Sequence, residues 1–545
     1  MPKFVSKIPK PLLALAAALA AGVGVSYYWR VFFSLDNRFP PLATTAGCVG
    51  FALLVVLGAA LVRLPRTFAA RGALCVLLCG ALFAFANPPL QTPDETDHYL
   101  RTYAISMGRL DFDADRGYPD DVSALMAAFP GAWVNAHTSA GLGTDPVTGA
   151  DQPYNTAGYA LKQYGSYGAV QSVADSFAQY FGREETAEPV REPISFLILP
   201  FLPGALGMAL VRLLGGGALA CLYGGRLFNL LAYTALCYAA LRLAQRCRPA
   251  FLCVMLLPMS LFMGASLSYD ATLLGCYYLM LALLTRRSWR TADAAAYAAA
   301  AVFVNIAKPY LNLLWILLPL VLQKTEWKAK GRRLWWMLGM AAGALAVTGL
   351  TEWYGTALRH NYDFIARQGG QAVNGGQQLA FILGNPLRYL AVLLGTLYEN
   401  EGFLGQLGLF GWKDLSIPLL SLTGPLVLLA SALLSASPRN SLGRRRVGGF
   451  AAFAVLYLAG AMTAMYITYT PVGMVRIVGL QTRYFLALWL ILALCVAAVV
   501  RRGVALYANG ERVAVPLFGG YAVLGAVLLF QHYFVGPYYT IPLAY

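Results

Sequence analysis

Long apolar stretches separated by short basic loops run through this sequence from end to end. Of its 545 residues, 59% are hydrophobic and 12% are charged, which is too apolar a composition for a soluble fold. Many of the stretches approach the roughly 20 residues that cross a bilayer as a helix. The sequence therefore predicts an all-α polytopic membrane protein.

Basic residues indicate which loops face the cytoplasm. Seven short loops hold 24 Lys and Arg residues and only two Glu residues, and loops of this kind stay on the cytoplasmic side of a membrane. By contrast, residues 88–192 carry 15 acidic and 6 basic residues. We predict that this segment is an outer loop and that the N-terminus is cytoplasmic. The net charge of +16 is thus a topology signal and does not indicate a nucleic-acid partner.

The same pattern divides the chain into about 13 membrane crossings. Residues 1–71 supply two extra N-terminal helices, residues 72–533 form the main transmembrane domain with outer segments 88–192 and 353–417, and residues 534–545 form an outer tail. Segments 193–214 and 376–398 are broken by prolines. We predict that the first is a membrane-surface or re-entrant segment on the outer side and that the second is an outer surface helix. The predicted crossings lie at about 11–33, 41–62, 72–88, 226–245, 250–265, 269–285, 292–307, 309–323, 334–352, 416–436, 448–467, 484–500 and 514–533.

Cysteine and histidine positions indicate neither a disulfide framework nor a metal centre. The nine cysteines lie in or beside apolar stretches without C-x-x-C spacing, and the four histidines are scattered. No cofactor is required by this pattern. A divalent metal is compatible with the acidic residues but is not demanded by them.

The segment that follows the third predicted crossing concentrates polar chemistry at a membrane face. It reads PDETDH and places Asp94, Glu95 and His98 close together. One interpretation is structural, because Thr92 and Glu95 have the spacing of a capping box that opens an amphipathic helix, with Asp94 complementing the helix dipole. The other is catalytic, because residues three and four apart share one face of a helix. Asp94 is the better catalytic candidate, since the capping box leaves it unused.

Other charged and aromatic residues are predicted at the same outer face. Arg226 opens a predicted crossing, Tyr269 and Asp270 lie in one short outer turn, and Lys308 and Tyr310 lie in another. A further outer turn carries Gln481, Arg483 and Tyr484. Single charges at the ends of crossings are commonly anchors. Their shared side with Asp94 makes the set more informative than its members.

These segments, taken in order, resemble a bacterial family known as domain of unknown function 2142, over roughly residues 72–500. The resemblance is carried by PDExxH at 93–98, GRLFNLL at 225–231, SLSYDATLL at 266–274, AKPY at 307–310, NPLRY and LGLFGWKDLSIP between 385 and 418, and PVGMVRIVGLQTRYF at 471–485. That family in turn resembles the GT-C glycosyltransferases, polytopic enzymes that take a sugar from a polyprenyl-phosphate donor.

The resemblance implies a GT-C-like helical bundle in a bacterial plasma membrane, with its catalytic face outside the cytoplasm. It implies catalytic acidic residues at Asp94 and Glu95. In the mechanism that it suggests, Asp94 accepts a proton, Glu95 or His98 orients the site, and Arg226, Lys308 and Arg483 are ligands of the donor phosphate. The implied acceptor is a glycan or lipid-linked molecule of the cell envelope, and the implied outcome is inversion. Candidate substrate contacts are Tyr269, Asp270, Tyr310, Trp412, Asp414, Gln481 and Tyr484.

Two alternatives remain open at this point. The same fold serves polymerases or ligases of lipid-linked glycans. A transporter or flippase of envelope precursors is the rival from another class, since charges within a membrane also mark substrate paths. Against transport, the span pattern shows no inverted repeat, and the candidate residues lie at one face rather than at the bilayer midplane.

Overall fold

A computed structural model describes most of the chain as α-helices that pack side by side. The described residues are 9–33, 39–110, 117–129, 142–144, 151–153, 173–182, 198–308, 312–322, 330–358, 367–368, 371–399, 406–411, 415–436, 442–500 and 510–535. Three short antiparallel ribbons accompany the helices within these ranges. They pair β1 (Leu142–Thr144) with β2 (Asp151–Pro153), β3 (Arg367–Gln368) with β4 (Gln371–Ala372), and β5 (Leu409–Phe410) with β6 (Leu415–Ser416).

The first half of the described chain contains helices of very different length. They are α1 (Lys10–Phe32), α2 (Pro41–Leu61), α3 (Phe68–Ala86), α4 (Glu95–Ser106), α5 (Asp120–Ala128), α6 (Val173–Gly182), α7 (Leu202–Leu213), α8 (Ala218–Leu243), α9 (Arg248–Leu256) and α10 (Pro258–Gly264). The predicted crossing at 250–265 is thus two helices. Pro258 causes the break, because it has no N–H to donate and keeps Leu257 in an extended conformation, with ψ of 137°.

The second half continues the bundle. It comprises α11 (Asp270–Leu284), α12 (Thr291–Ala307), α13 (Leu313–Leu322), α14 (Lys330–Leu358), α15 (Gly375–Gly384), α16 (Pro386–Glu399), α17 (Pro418–Ser435), α18 (Arg444–Thr468), α19 (Leu486–Val500) and α20 (Gly510–Phe530). Seven helices of the described chain are long and apolar enough to cross a membrane, or eight if the bent pair α15–α16 counts as one span. The protein is therefore an all-α, multi-pass membrane protein.

The buried centre of the bundle surrounds α8 and α11. Helix α8 packs against α3, α7 and α11, while α3 also packs against α20. Nearly every residue of α11 is buried, as expected for a helix that is apolar on all sides beyond its first turn. Helices α1 and α2 pack on each other and have a small separate core around Trp29, Cys48 and Val535.

Helix α7 lies within segment 193–214, which the sequence predicts not to cross and of which residues 198–214 are described. It has 12 residues, about 18 Å at 1.5 Å per residue, whereas a bilayer core is about 30 Å thick. Its glycine-bearing face lies on α8, and leucines such as Leu206 and Leu213 are exposed on the other side. The helix is too short to span, as its prolines suggest.

Four helix ends meet at one end of the bundle. Helix α3 ends there at Ala86, α11 begins there at Asp270, α12 ends there at Ala307, and α19 begins there at Leu486. The outer-face segments that carry the candidate residues therefore come together although they are far apart in sequence.

The close approach of α7 and α8 gives a test of the packing. A Cβ added at Gly207 would meet the carbonyl oxygen of Gly224 and would lie 2.9 Å from Phe228 Cβ. We expect Gly207→Ala to lower the free energy of unfolding in detergent by about 1–3 kcal/mol through overpacking, despite the better helix propensity of Ala. Gly50→Ala on α2, where no atom lies within 4 Å of the added Cβ, is the matched control and should not destabilise.

Candidate functional site

A tight turn joins α3 to α4 and presents Asp94 in an unusual conformation. Helix α4 begins at Glu95, and Asp94 precedes it with φ of 60° and ψ of 13°. This left-handed region is uncommon for residues other than glycine, although Asp and Asn tolerate it best. The capping box predicts Thr92 as the N-cap, but the N-cap is Asp94, because its left-handed backbone interrupts the helix before Glu95.

Only half of the predicted capping box forms. The carboxylate of Glu95 accepts a hydrogen bond from the Thr92 N–H at 3.3 Å. The Thr92 hydroxyl instead accepts from the Asn87 side-chain amide at 2.9 Å. Glu95 has a stronger partner than this cap, and that partner lies on another helix.

Glu95 forms a completely buried ion pair with Arg226 of α8. Arg226 Nε donates to Glu95 Oε1 at 2.8 Å, and Nη2 donates to Oε2 at 2.6 Å. Both side chains have 0% exposure. The backbone N–H of Leu267 adds a further hydrogen bond to Oε1 at 3.1 Å. This is the bidentate geometry that makes Arg the preferred partner of a buried carboxylate.

All five N–H donors of Arg226 are occupied. Besides Glu95, they reach the carbonyl oxygens of Ala84 at 2.9 Å, Asn87 at 2.7 Å and Pro88 at 2.9 Å. These carbonyls belong to the end of α3 and the chain just beyond it, where helices leave carbonyl groups unpaired. Arg226 thus has no donor left for a phosphate. The contacts of Arg226 and Glu95 hold the turn that carries Asp94, so the expected phosphate contact of Arg226 and the expected catalytic role of Glu95 find no support in this geometry.

Asp94 itself belongs to a second group of charges, which we call the ion-pair cluster: Asp94, Arg483, Asp270 and Lys308. Arg483 Nη2 donates to Asp94 Oδ2 at 2.8 Å, and its Nη1 lies 3.8 Å from Asp270 Oδ2. Lys308 Nζ donates to Asp270 Oδ1 at 3.2 Å. The four residues therefore alternate in charge and are neutral in sum. They come from four distant parts of the sequence, and the structure brings all four predicted residues together.

The cluster is exposed at one place. About half of the Asp94 side chain, 53%, is accessible, whereas Asp270 and Arg483 are 7% and 6% exposed as side chains. Lys308 is intermediate. A molecule that approaches the cluster from outside therefore meets the carboxylate of Asp94 first, with the two cations next to it.

Aromatic rings cover the cations. Lys308 Nζ lies 4.3 Å from the centroid of the Tyr484 ring and 5.5 Å from that of Tyr269. The Arg483 guanidinium lies 5.2 Å from the Tyr484 ring. Such contacts stabilise a cation while leaving its other faces available. Both tyrosines are predicted site residues, and both line the cluster.

His98 lies behind Asp94 and is held by rings rather than by charges. Its imidazole packs against Tyr269 at 5.1 Å and Phe201 at 5.3 Å between centroids, and the residue is 5% exposed. Phe201 comes from the turn before α7 and is not among the predicted site residues. Its only sequence signal is its place in the proline-broken apolar segment before α8.

Local charges and burial set the protonation states. Burial is the largest influence on Asp94 and favours its neutral form, but the neighbouring positive charges, chiefly that of Arg483, together with the Arg483 hydrogen bond outweigh it and hold the pKa of the carboxyl below its usual value. Burial lowers the pKa of His98 to about 3. At neutral pH Asp94 is therefore a carboxylate and His98 an uncharged imidazole.

Two polar atoms of this site have no hydrogen-bond partner within the described part of the chain. They are Nδ1 of His98 and Nε of Arg483, and both are buried. Buried polar atoms are nearly always satisfied in native proteins. Two such atoms beside an accessible carboxylate indicate a place where a ligand or water completes the hydrogen bonding.

The acidic residues of the site do not form a metal centre by themselves. Among the described residues, no group of three or more His, Cys, Asp and Glu side chains is arranged to hold a metal ion. Both carboxylates of the ion-pair cluster already contact cationic side chains. The described residues therefore contain no preformed binding site for a divalent ion.

The remaining predicted residues are less informative. Tyr310, Trp412 and Asp414 lie outside the described residues. Gln481 precedes the 3₁₀ turn Thr482–Phe485 and accepts the Tyr484 N–H through its carbonyl oxygen at 3.2 Å. Another carboxylate, Asp97, is exposed one turn beyond Asp94 on α4 and is not part of the ion-pair cluster.

A known family model matches this chain. The family model described as "Predicted membrane protein (DUF2142)" matches residues 174–492, which is more than half of the chain. The chain belongs to this family. The match includes Asp270, Lys308 and Arg483, but it begins after the turn that carries Asp94, so it is narrower than the expected 72–500. No curated protein and no solved structure matches this DUF2142 chain.

The structural assignment of Arg226 can be tested through stability. Replacing it by Lys removes the bidentate geometry and leaves carbonyl groups of the α3 end unpaired, so we expect Arg226→Lys to cost about 3–5 kcal/mol of unfolding free energy. Thermal unfolding in detergent measures this loss. Arg248→Lys is the matched control, because Arg248 pairs with Glu511 at 3.5 Å in an exposed position and should cost less than about 1 kcal/mol. A stable Arg226→Lys variant would contradict the assignment.

Proposed function

We propose that this protein is a membrane glycosyltransferase that moves a sugar from a polyprenyl-phosphate donor to a cell-envelope glycan or lipid-linked acceptor. The observation that carries the proposal is the accessible carboxylate of Asp94 beside two cations, at one end of a membrane bundle. A transferase of this kind needs a base that faces the acceptor and cations at the depth of the lipid headgroup. The ion-pair cluster offers both in one place.

The proposed reaction is a direct displacement. An acceptor hydroxyl attacks the anomeric carbon of the donor sugar, the bond from that carbon to the phosphate oxygen breaks, and the electron pair leaves with the polyprenyl phosphate. Asp94 accepts the proton of the attacking hydroxyl. Arg483 and Lys308 stabilise the charge that grows on the phosphate. Without a covalent intermediate, the anomeric configuration is inverted.

The neutrality of the cluster implies how a donor would bind. A phosphate gains little from a neutral set of charges unless it replaces one of the carboxylates. Asp94 is the replaceable one, because it is half exposed and has a single short contact with Arg483. In the proposal, the phosphate takes over this guanidinium and Asp94 is released toward the acceptor. The release raises the pKa of Asp94 and makes it a stronger base when the donor is present.

The wider setting is part of the same proposal. We place the ion-pair cluster at the outer face of a bacterial plasma membrane, within a GT-C-like bundle of about 13 crossings. In this arrangement the two short apolar helices Asp270–Leu284 and Thr291–Ala307 each cross the membrane, in addition to the seven longer spans. The acidic balance of residues 88–192 and the basic loops at the opposite ends of the helices support this orientation.

Transfer activity tests the proposal directly. We expect purified protein in liposomes to transfer radiolabelled sugar from a panel of polyprenyl-phosphate donors to envelope glycan acceptors. Asp94→Asn should lower kcat by about 10²–10⁴-fold through loss of the base, because Asn tolerates the left-handed backbone and keeps the fold. Asp97→Asn, which neutralises the exposed carboxylate one turn away, should stay near wild type.

Two results would contradict the proposal. Equal activity of Asp94→Asn and wild type would remove Asp94 from the reaction. Movement of intact lipid-linked sugar across the liposome membrane, without transfer to any acceptor, would favour a transporter.

The pH dependence tests the exchange of partners at Arg483. Asp94 acts as a base only when deprotonated, so the rate rises with pH through its pKa. In the free enzyme that pKa is lowered, and we expect the acid limb of kcat/KM to lie below the ordinary Asp value of about 3.9. With donor bound, Arg483 contacts phosphate, so the acid limb of kcat should lie at higher pH. Coincident limbs would contradict the exchange.

A further inference from the structure

Helices α15 and α16 form a sharply bent pair that contacts the loop leading to Arg483. The chain turns by 108° between Gly375–Gly384 and Pro386–Tyr398. Pro386 causes the break, because the residue before a proline is kept out of the helical region, and Asn385 has φ of −136° and ψ of 58°. By length and composition alone, such a pair is either one broken span or a loop that enters and leaves on the same side.

Both helices are attached to the same loop. On α15, the Gln378 side-chain carbonyl accepts the Gly473 N–H at 2.8 Å. On α16, the Thr396 hydroxyl accepts the Ile477 N–H at 3.0 Å. Gly473 and Ile477 belong to the loop that follows α18 and leads to Arg483. The two arms of the pair are therefore tied to one end of the bundle.

The contacts near the bend also lie close to the end of α18 that leads into this loop. The Tyr389 hydroxyl lies 2.6 Å from that of Thr463, and its ring stacks on Tyr466 at 5.5 Å. Thr463 is five residues from the end of α18 at Thr468, a rise of about 7.5 Å. A bilayer core is about 30 Å thick. These contacts keep the pair near one end of α18, so it does not reach the other side.

The remaining face of the pair is apolar and uncovered. Its exposed residues recur at helical spacing, and the most exposed of the leucines is Leu387 at 82%. Arg388 is exposed beside it, with its guanidinium 5.4 Å from the Phe381 ring. An apolar stripe flanked by a cation is typical of a helix that lies in the headgroup boundary. The stripe consists of Leu379, Leu383, Leu387, Leu390 and Leu394, and the exposed Tyr398 lies beyond it at the end of the second arm.

We propose that residues 375–398 are a re-entrant element that enters the membrane from the side of the ion-pair cluster, and that its leucine stripe contacts the acyl chains of that leaflet. Through Gln378 and Thr396 it holds the loop that ends at Arg483. The lipid layer thereby helps to position a residue of the candidate site. This inference is independent of the proposed function, since it concerns topology and the support of the loop.

Cysteine labelling tests the topology in the full-length protein. Single cysteines at Gln377 and Tyr398 mark the two arms, and Leu387→Cys marks the bend. In sealed liposomes treated with a membrane-impermeant maleimide, we expect both arm positions to label from the side that labels Val475→Cys. Leu387→Cys should lose labelling from either side until detergent is added.

The controls fix both sides of the membrane. Val475 is 64% exposed in the loop after α18, and Leu64 is 73% exposed before α3, at the opposite end of that helix from the cluster. The unmodified protein gives the background of the native cysteines, eight of which are buried. Labelling of Gln377→Cys and Tyr398→Cys from opposite sides would overturn the proposal. Labelling of Leu387→Cys equal to that of Val475→Cys in intact liposomes would also overturn it.

Hydrogen exchange tests the link to the loop. Thr396→Val removes the acceptor of the Ile477 N–H, and we expect exchange within residues 474–481 to accelerate by about fivefold, as for the loss of one hydrogen bond. Thr423→Val is the matched control, because the Thr423 hydroxyl bonds to the Leu419 carbonyl of α17 and to the Tyr521 hydroxyl of α20, and to no residue of this loop. Unchanged exchange in Thr396→Val would show that the pair does not hold the loop.

Discussion

The buried pair of Glu95 and Arg226 is the interaction on which the candidate site depends. A charge removed from water is costly unless it is paired and hydrogen-bonded, and here one guanidinium supplies five hydrogen bonds to a carboxylate and three carbonyl groups. Those partners belong to the end of α3, the start of α4 and the chain between them. The pair therefore fixes a turn that would otherwise have unsatisfied carbonyl groups. Asp94 precedes Glu95 directly, so its left-handed backbone is held by the same contacts.

The site could be predicted from sequence to the extent that it consists of charges at the ends of apolar segments. Asp94, Asp270, Lys308 and Arg483 each follow or precede an apolar helix, and basic loops indicate which ends lie on one side. That rule was enough to group the four residues. It was not enough to find their partners, because Arg226 and Arg483 look alike in sequence. Only the tertiary structure shows that one is saturated by carbonyl groups while the other faces an accessible carboxylate.

The fold shows the same limit. Helices occupy most of the predicted crossings, since apolar length is a local property of the sequence. Apolar length does not predict the left-handed backbone of Asp94 or the 108° turn at Asn385. A proline predicts that a helix breaks, but the angle depends on what the two arms contact, and here both arms contact residues 473–477. The capping box forms only in half for a related reason, because the Thr92 hydroxyl accepts a hydrogen bond from the Asn87 side-chain amide instead of from the start of the helix.

The two carboxylates of the ion-pair cluster have different environments, and this difference argues for different roles. Asp270 is nearly inaccessible, lies close to both cations and stands at the start of α11, where the helix dipole favours a negative charge. It is suited to holding Lys308 and Arg483 in place. Asp94 has one short ion-pair contact and an open face. In the proposed transferase, this contrast makes Asp94 the group that reacts and Asp270 the group that orients the cations. Asp94 is therefore the carboxylate that an incoming molecule can displace, while Asp270 keeps the cations where a phosphate would need them.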